Sequence, residues 1–446
     1  MERIARQQGI SQLGMATITT IIFILCLILL AQSLLALFSG IGFARFARRH
    51  ASSRQREYQP KAAVLVPCRG LDHEFEENLR PLFLQNYGEY EIVFITENEE
   101  DPAHRVIERM IEESPRPAWL LVAGEARNRG QKIHNLCAGI EMLNTIDRRT
   151  EVLVFVDADA RPGRDWLAEL VAPLGDKRIG ATTGFRWFVP TGRPGLGGWL
   201  STLLPSVLLS IWNAGALALL GERSRFAWGG SMAIRRENFD RLRILRRWDG
   251  ALSDDYMLTG AVNEARQRIR FIPGALVRSP LRATWSDLFE FTTRQIRITR
   301  VYSPTVWRFG LASYLFYNLV FFSGLGMLAS GATGSSQSGF TLTLLAIYLL
   351  GATNGALRAT VATQLINLST RRGEPKAWAV QDLSLVAIHA LLNPAISLLY
   401  LYNFIASLSS RRIIWRGISY EMISPLVTIR EGKLPPGRQL RQSAKE

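Results

Sequence analysis

Apolar positions along the chain fall into blocks. No charged residue occurs from Gln7 to Ala44, and 15–38 is dense in Ile, Leu and Phe. A bilayer core of about 30 Å takes about 20 residues of helix, so this block is read as a span. It is too long for a cleaved signal peptide and lacks a small-residue cleavage site before the basic run, which makes 1–44 a retained anchor. Further spans are predicted near 310–330 and 340–357, joined by the uncharged loop 331–339. The apolar stretches 196–220 and 383–408 are different. Arg186 and Arg193 precede the first, Arg223 and Arg225 follow it, and Pro205 interrupts it. The second contains Asn393-Pro394 and ends at Arg411, Arg412 and Arg416. A single crossing would leave one basic end on the wrong side. Both are therefore expected to be interfacial or re-entrant, with spanning kept open for 383–408 on length.

Between 60 and 300 the pattern changes. Short apolar or β-branched runs at 62–66, 91–95, Ala118–Val122, Val152–Val156 and 180–183 alternate with amphipathic stretches at 74–85, 103–113 and 132–143. Such alternation predicts an α/β, mostly parallel, doubly wound sheet. Ligands of such sheets bind beyond the carboxyl ends of the strands. The expected organisation is an anchor (1–44), a catalytic domain (45–303), a membrane region (304–410) and a basic tail (411–446), with 430–446 solvated or touching lipid. Arg3 and Arg6 precede the anchor, whereas Arg45, Arg48, Arg49, Arg54 and Arg56 follow it, which puts the domain in the cytoplasm. Arg358, Arg371, Arg372 and Lys376 return the chain to that side after the last clear span.

Composition narrows the class. The 446 residues carry 53 basic and 38 acidic side chains, net +15, and are 48% hydrophobic and 20% charged. That excludes a disordered chain, a collagen-like repeat and a disulfide scaffold. Cys26, Cys68 and Cys137 show no metal spacing and read as reduced thiols. The positive excess sits in membrane-flanking clusters and no zinc-finger or RNA-binding signature occurs, so nucleic acid is not an expected partner. The clear spans contain no charge and the chain has no phosphate-loop motif, which argues against a transporter.

Candidate chemistry gathers after strands. Asp157-Ala158-Asp159 follows Val152–Val156. Two carboxylates at the end of a buried strand call for a cation, Mg2+ or Mn2+ being suited to hard oxygens shared with phosphate; a polar turn is the plainer alternative. Glu97-Asn98-Glu99-Glu100-Asp101 is a second acidic strand end, or a solvated loop. Asp254-Asp255-Tyr256 offers adjacent carboxylates for a general base, or a cap in which Ser253 or Asp254 starts a helix over 255–265. Arg294 and Arg297 share a helix face and suit phosphate; Arg300 and Arg308 fit lipid headgroups.

With these residues in place, Val64-Leu65-Val66-Pro67-Cys68-Arg69-Gly70, Glu97 to Ala103, and Gly130-Gln131-Lys132-Ile133-His134-Asn135-Leu136 resemble family 2 glycosyltransferases. Val156-Asp157-Ala158-Asp159, Gly229-Gly230-Ser231-Met232, Asp254-Asp255-Tyr256 and Arg294-x-x-Arg297 follow in that family's order, and Trp415-Arg416-Gly417-x-x-Tyr420 is similar to its C-terminal end. The ceramide glucosyltransferase-like branch, with bacterial ceramide or hopanoid enzymes, is the nearest likeness. The resemblance implies a GT-A fold, a nucleotide sugar (usually UDP-linked), a membrane-lipid acceptor and inversion. It implies that Asp157 and Asp159 hold metal and diphosphate and that Lys132 contacts phosphate. Glu97 and Asn98 would meet base or ribose, with Pro67 and Asn135 in the same nucleotide-sugar set. Asp255 would be the base, beside Asp254, and Arg294 and Arg297 would lie near the diphosphate. Asn98 stands where the family has an aspartate, and Ile298 where it has tryptophan. The location implied is the bacterial inner membrane, or Golgi or ER in a eukaryote. The rival functions are a processive polysaccharide synthase and an inactive nucleotide-binding membrane protein.

Overall fold

The computed structural model describes residues 2–51, 57–146, 149–191, 195–370 and 386–431. Arg54, Arg56, Arg193, Arg371, Arg372, Lys376, the first residues of the 383–408 stretch and 432–446 of the basic tail lie outside the described residues.

Seven strands form the central sheet: β1 (Ala62–Pro67), β2 (Tyr90–Thr96), β3 (Ala118–Val122), β4 (Val152–Val156), β5 (Ile179–Pro190), β6 (Ser231–Arg235) and β7 (Arg268–Leu281), in the order β3-β2-β1-β4-β6-β5-β7. All neighbours are parallel except β6, which runs antiparallel between β4 and β5. Alternation along each strand supplies two cores. Val64, Phe94 and Val154 meet Ile107, Met110 and Trp166 on one face. Leu65, Val93 and Phe155 meet Ile133, Leu136, Ile140 and Leu258 on the other. Helices on both faces explain why these strands read as nearly continuous apolar runs. The expected mostly parallel, doubly wound sheet is what the chain forms, with long apolar helices before and after it. Its strand order reverses between β1 and β4, so the crevice lies beyond Pro67 and Val156.

β5 does not stop at Thr183 as its β-branched run suggested. A register shift at Gly184 carries it on to Pro190. A Cβ at Gly184 would stand 2.1 Å from the Ala275 carbonyl oxygen and 2.4 Å from Ser231 Oγ, so glycine is required at this bulge. The extension carries Arg186 over the carboxyl edge of the sheet.

Among the described residues, four helices are long and apolar enough to cross a membrane: Gly14–Arg49, Trp199–Leu219, Pro304–Ala329 and Gly334–Leu368. Cys26 and Leu29 of the first pack on Phe321, Phe340 and Leu344 of the last two. Farther along, Phe43 and Ala47 pack with Val361 and Leu365 directly on Phe185 and Phe271 of the sheet. Trp199–Leu219 stands apart: 56% of its apolar window is buried, against 11–28% in the other three. Ser206 Oγ accepts from Ala283 N (2.8 Å), Ser210 Oγ donates to the Phe188 carbonyl (2.9 Å) and Asn213 Nδ2 to the Arg186 carbonyl (3.3 Å). Hydrogen bonds to the central sheet and the turn after β7 thus hold this segment.

The region after 411 is not simply a basic tail. β8 (Arg412–Trp415), β9 (Ile418–Ser424) and β10 (Val427–Glu431) form an antiparallel sheet that docks back on the α/β domain at Leu252 and Ile298. Its alternation of Ile413, Ile418, Tyr420 and Met422 is short, and the surrounding arginines mask it.

Candidate active site

β4 delivers Asp157 and Asp159 into the crevice. Lys132, in the first turn of the helix Gln131–Ile146, puts Nζ 2.8 Å from Asp157 Oδ1 and 3.3 Å from Asp254 Oδ1. From β5, Arg186 bonds Asp157 Oδ2 and Asp159 Oδ2, each at 2.9 Å, while its guanidinium lies 4.7 Å over Trp228 and 5.1 Å over Phe188. Burial raises both aspartates, but Lys132 and Arg186 outweigh it at Asp157 and hold that carboxyl below its usual range. At Asp159 burial wins over Arg186, and the pKa rises. Lys132 stays charged, since Asp157 and Asp254 more than offset its burial. Asp159 Oδ1 and Asp254 Oδ2 are buried with no hydrogen-bond partner, and such oxygens are rare without a purpose.

The helix Asp254–Glu264 brings the other carboxylates. Ser253 caps it, accepting from Tyr256 N, as one sequence reading had it. Asp255 Oδ1 accepts from Ser253 Oγ and from Tyr256 N (2.7 Å), and its Oδ2 from Gly229 N (3.4 Å). Cap and acidic site therefore coexist, with the positive end of the helix facing both carboxylates. Asp254 is only 2% exposed, and burial, opposed by Lys132, pushes it up to about 6. Gly229 and Gly230 thread between the two acidic groups. A Cβ at Gly229 would stand 2.5 Å from Asp254 Oδ2, and one at Gly230 2.6 Å from Asp157 Oδ2.

Lys132, Asp157, Asp159, Asp254 and Asp255 thus form one cluster, and Pro67 ends β1 at the crevice. Others are placed differently. Glu97 is 1% exposed, paired with Arg69 and, at 2.9 Å, with Arg430; Asn98 lies half-buried beside it. Asn135 accepts from Gln131 Nε2 (2.8 Å) and donates to the Ile95 carbonyl (3.1 Å), tying helix to strand. Arg294 is half-buried at the edge of the cluster, with Nη1 3.9 Å from Glu290 Oε1. It donates to the Ile414 carbonyl (3.4 Å), and its Nε is without a partner; burial pulls it down to about 10. Arg297 turns away, donating to the carbonyls of Arg412 (2.9 Å) and Ala406 (3.5 Å). Ile298, in place of the family tryptophan, packs against the C-terminal sheet.

Along the sequence Arg186 and the C-terminal arginines read only as charges flanking apolar stretches, in the basic tail or, for Arg416, within a C-terminal motif, with no role in the site. For Arg186 a signal existed, a lone charge within Phe185-Arg186-Trp187-Phe188, because a charge in a buried run must find a partner. Among the described residues no group of three His, Cys, Asp or Glu side chains gathers to hold a metal. Asp157 and Asp159, with the spare oxygen of Asp159, fit a small divalent cation that takes its other ligands from phosphate and water.

A family model for glycosyl transferase family 21 matches residues 21–424. Ceramide glucosyltransferase of Komagataella phaffii is 27% identical over 106 residues, which is 22% of this chain and 21% of that relative. The aligned part therefore spans about a fifth of the curated relative's length. Among solved structures, the mannosyltransferase PcManGT from Pyrobaculum calidifontis, in complex with GDP-Man and Mn2+, is 18% identical with a TM-score of 0.43, over 87% of this chain and 98% of that one. GalNAc-T7 with UDP, GalNAc and Mn2+ is 17% identical with a TM-score of 0.36, over 55% and 49%.

Proposed function

The chain belongs to glycosyl transferase family 21, and from that premise we propose that it is a membrane-bound inverting enzyme. It moves a sugar from a UDP-linked donor to the hydroxyl of a membrane lipid of the ceramide class. The observation that carries this reading is the convergence of Asp157, Asp159, Asp254 and Asp255 around Lys132 at the strand-order reversal.

In this reading Lys132 and Arg186 attract the donor diphosphate and steady the charge that grows on it as the anomeric C–O bond breaks. Asp157 and Asp159 would hold Mg2+ or Mn2+, which when bound neutralises the leaving diphosphate. The acceptor oxygen bonds the anomeric carbon from the opposite face, and its proton passes to Asp255. Asp254 keeps Lys132 in place.

The segment packed on β5 supports a lipid acceptor. Trp199, Leu200 and Trp285 are 43%, 48% and 41% exposed, and Trp285 Nε1 donates to the Leu200 carbonyl (3.1 Å). Exposed indoles beside apolar residues suit the headgroup level of a bilayer. Trp199–Leu219 is then interfacial, on the cytoplasmic face of a bacterial inner membrane, or of ER or Golgi. It lines the lipid's path to Asp255. Replacing its exposed apolar residues should damage lipid transfer while sparing hydrolysis of the sugar nucleotide; equal loss of both would sink the path.

The experiment for the whole reading is turnover by the purified chain in detergent with Mn2+ or Mg2+. UDP-glucose, UDP-galactose, UDP-GlcNAc and UDP-glucuronate are offered with ceramide and a native lipid extract, beside Asp255→Asn. A metal-dependent glycolipid that disappears in the variant supports the reading. Polymer alone would replace it with a polysaccharide synthase, and tight UDP binding without turnover with a binding protein.

A further inference from the structure

The C-terminal sheet is tied to the catalytic crevice more closely than a tail needs. Tyr420 OH accepts from Gln131 N (3.2 Å), at the head of the helix that carries Lys132. Arg430 donates to Glu97 (2.9 Å), to Gln131 Oε1 (2.9 Å) and to the Ala126 carbonyl (3.0 Å). Ile413, Ile418, Tyr420 and Met422 bury Leu252, which immediately precedes Ser253-Asp254-Asp255. The sheet therefore touches both halves of the site, and it presents one hairpin tip toward them.

That tip is Arg416-Gly417, a two-residue turn between the paired Trp415 and Ile418. Both turn residues have positive φ, 51° and 74°. This is the pattern of tight hairpins that favour Asn-Gly or Gly-Gly, and arginine is disfavoured in it. Such strain persists where the surroundings enforce it, and it clusters at functional sites. Here the surroundings are specific. Arg416 Nη1 and Nη2 lie 2.6 and 2.7 Å from the two oxygens of Asp72, in the loop after β1, and Arg69 Nε donates to the Arg416 carbonyl (3.0 Å). The Arg416 side chain is 36% exposed, on the hairpin whose strands reach Gln131 and Leu252 beside Lys132 and Asp254. Asp72 engages two of the five guanidinium donors, and the planar fork suits phosphate as well as carboxylate.

We propose that the β8–β9 hairpin is a wall of the donor site and that Arg416, oriented by Asp72, binds the diphosphate of the nucleotide sugar. The inference rests on the sugar-transfer reading above and adds a binding residue to it. Asp72 is then a positioning residue.

The left-handed backbone makes a clean test possible, because Arg416→Gly removes the guanidinium while relieving the strain. The full-length protein in detergent would be titrated with UDP, GDP and UMP, with its melting temperature followed in parallel. Arg416→Gly should melt no lower than wild type, lose UDP affinity by roughly tenfold or more and keep its UMP affinity. Arg416→Lys should recover part of the loss, and Asp72→Asn should weaken UDP less than Arg416→Gly does. A lower melting temperature with equal losses for UDP and UMP would make the hairpin a structural strap and overturn the proposal. Unchanged UDP affinity would overturn it too, while lipid glycosylation by the same sample leaves the sugar-transfer reading standing. Wild type that binds neither UDP nor GDP would overturn both.

Discussion

Two acidic strand ends, Glu97 after β2 and Asp157 with Asp159 after β4, look alike along the chain and differ once folded. Glu97 is sealed: 1% exposed and held between Arg69 and Arg430. The β4 end is also matched by cations, Lys132 and Arg186, yet it leaves Asp159 Oδ1 without a partner beside a second group of carboxylates. Both ends keep a buried carboxylate oxygen without a hydrogen bond, Glu97 Oε2 and Asp159 Oδ1. What separates them is company: Glu97 meets arginines that join pieces of the fold, whereas Asp157 shares Lys132 with the second group of carboxylates.

The sharpest test of that difference replaces Asp157. Asp157→Asn should cut transfer at least roughly a hundredfold, the scale of losing one main electrostatic stabiliser, as read by glycolipid formation at saturating donor. The mirror test is Glu97→Gln. Leaving two guanidinium groups beside a neutral buried amide should cost about 3 kcal/mol, a fall in melting temperature on the order of 5–10 °C, with residual transfer in the folded fraction. A heat-stable but inactive Glu97→Gln would break the comparison, since it would move β2 into the chemistry.

Next in size is Gly229→Ala. Its methyl would press on Asp254 Oδ2 and Lys132 Nζ, 2.5 and 3.0 Å away, and force the pair apart. Transfer should drop about tenfold, on the scale of one charge-assisted contact, with donor KM rising as Lys132 shifts. The smallest effect concerns pH. Asp254, raised to about 6, takes up a proton as pH falls through that value. Lys132 then loses one of its two carboxylate partners and its hold on the donor site loosens, which lowers the rate. A few-fold decline below about pH 6 is expected in a pH–rate profile, and Asp254→Asn should remove that inflection.

Much of this could be read in advance where the signal is local. The strands Ala118–Val122 and Val152–Val156 form as expected, and the Ser253 cap and the Asp157-Ala158-Asp159 strand end lie where the pattern put them. Arg297 shows the limit. Its spacing from Arg294 is helical and correct, yet that face meets the carbonyls of Ala406 and Arg412, more than a hundred residues away. The extension of β5 to Pro190 depended on Gly184 facing Ala275 and Ser231, a contact invisible from either segment alone.

The sequence by itself determined the apolar blocks, the alternating α/β domain and the carboxylates at its strand ends, because periodicity and strand-end chemistry depend on residues within a turn or two of one another. Only the tertiary structure decided which cations neutralise which carboxylates. Lys132, Arg186, Arg416 and Arg430 come from separate elements, and a charge buried in a low-dielectric interior selects its partner by distance in space.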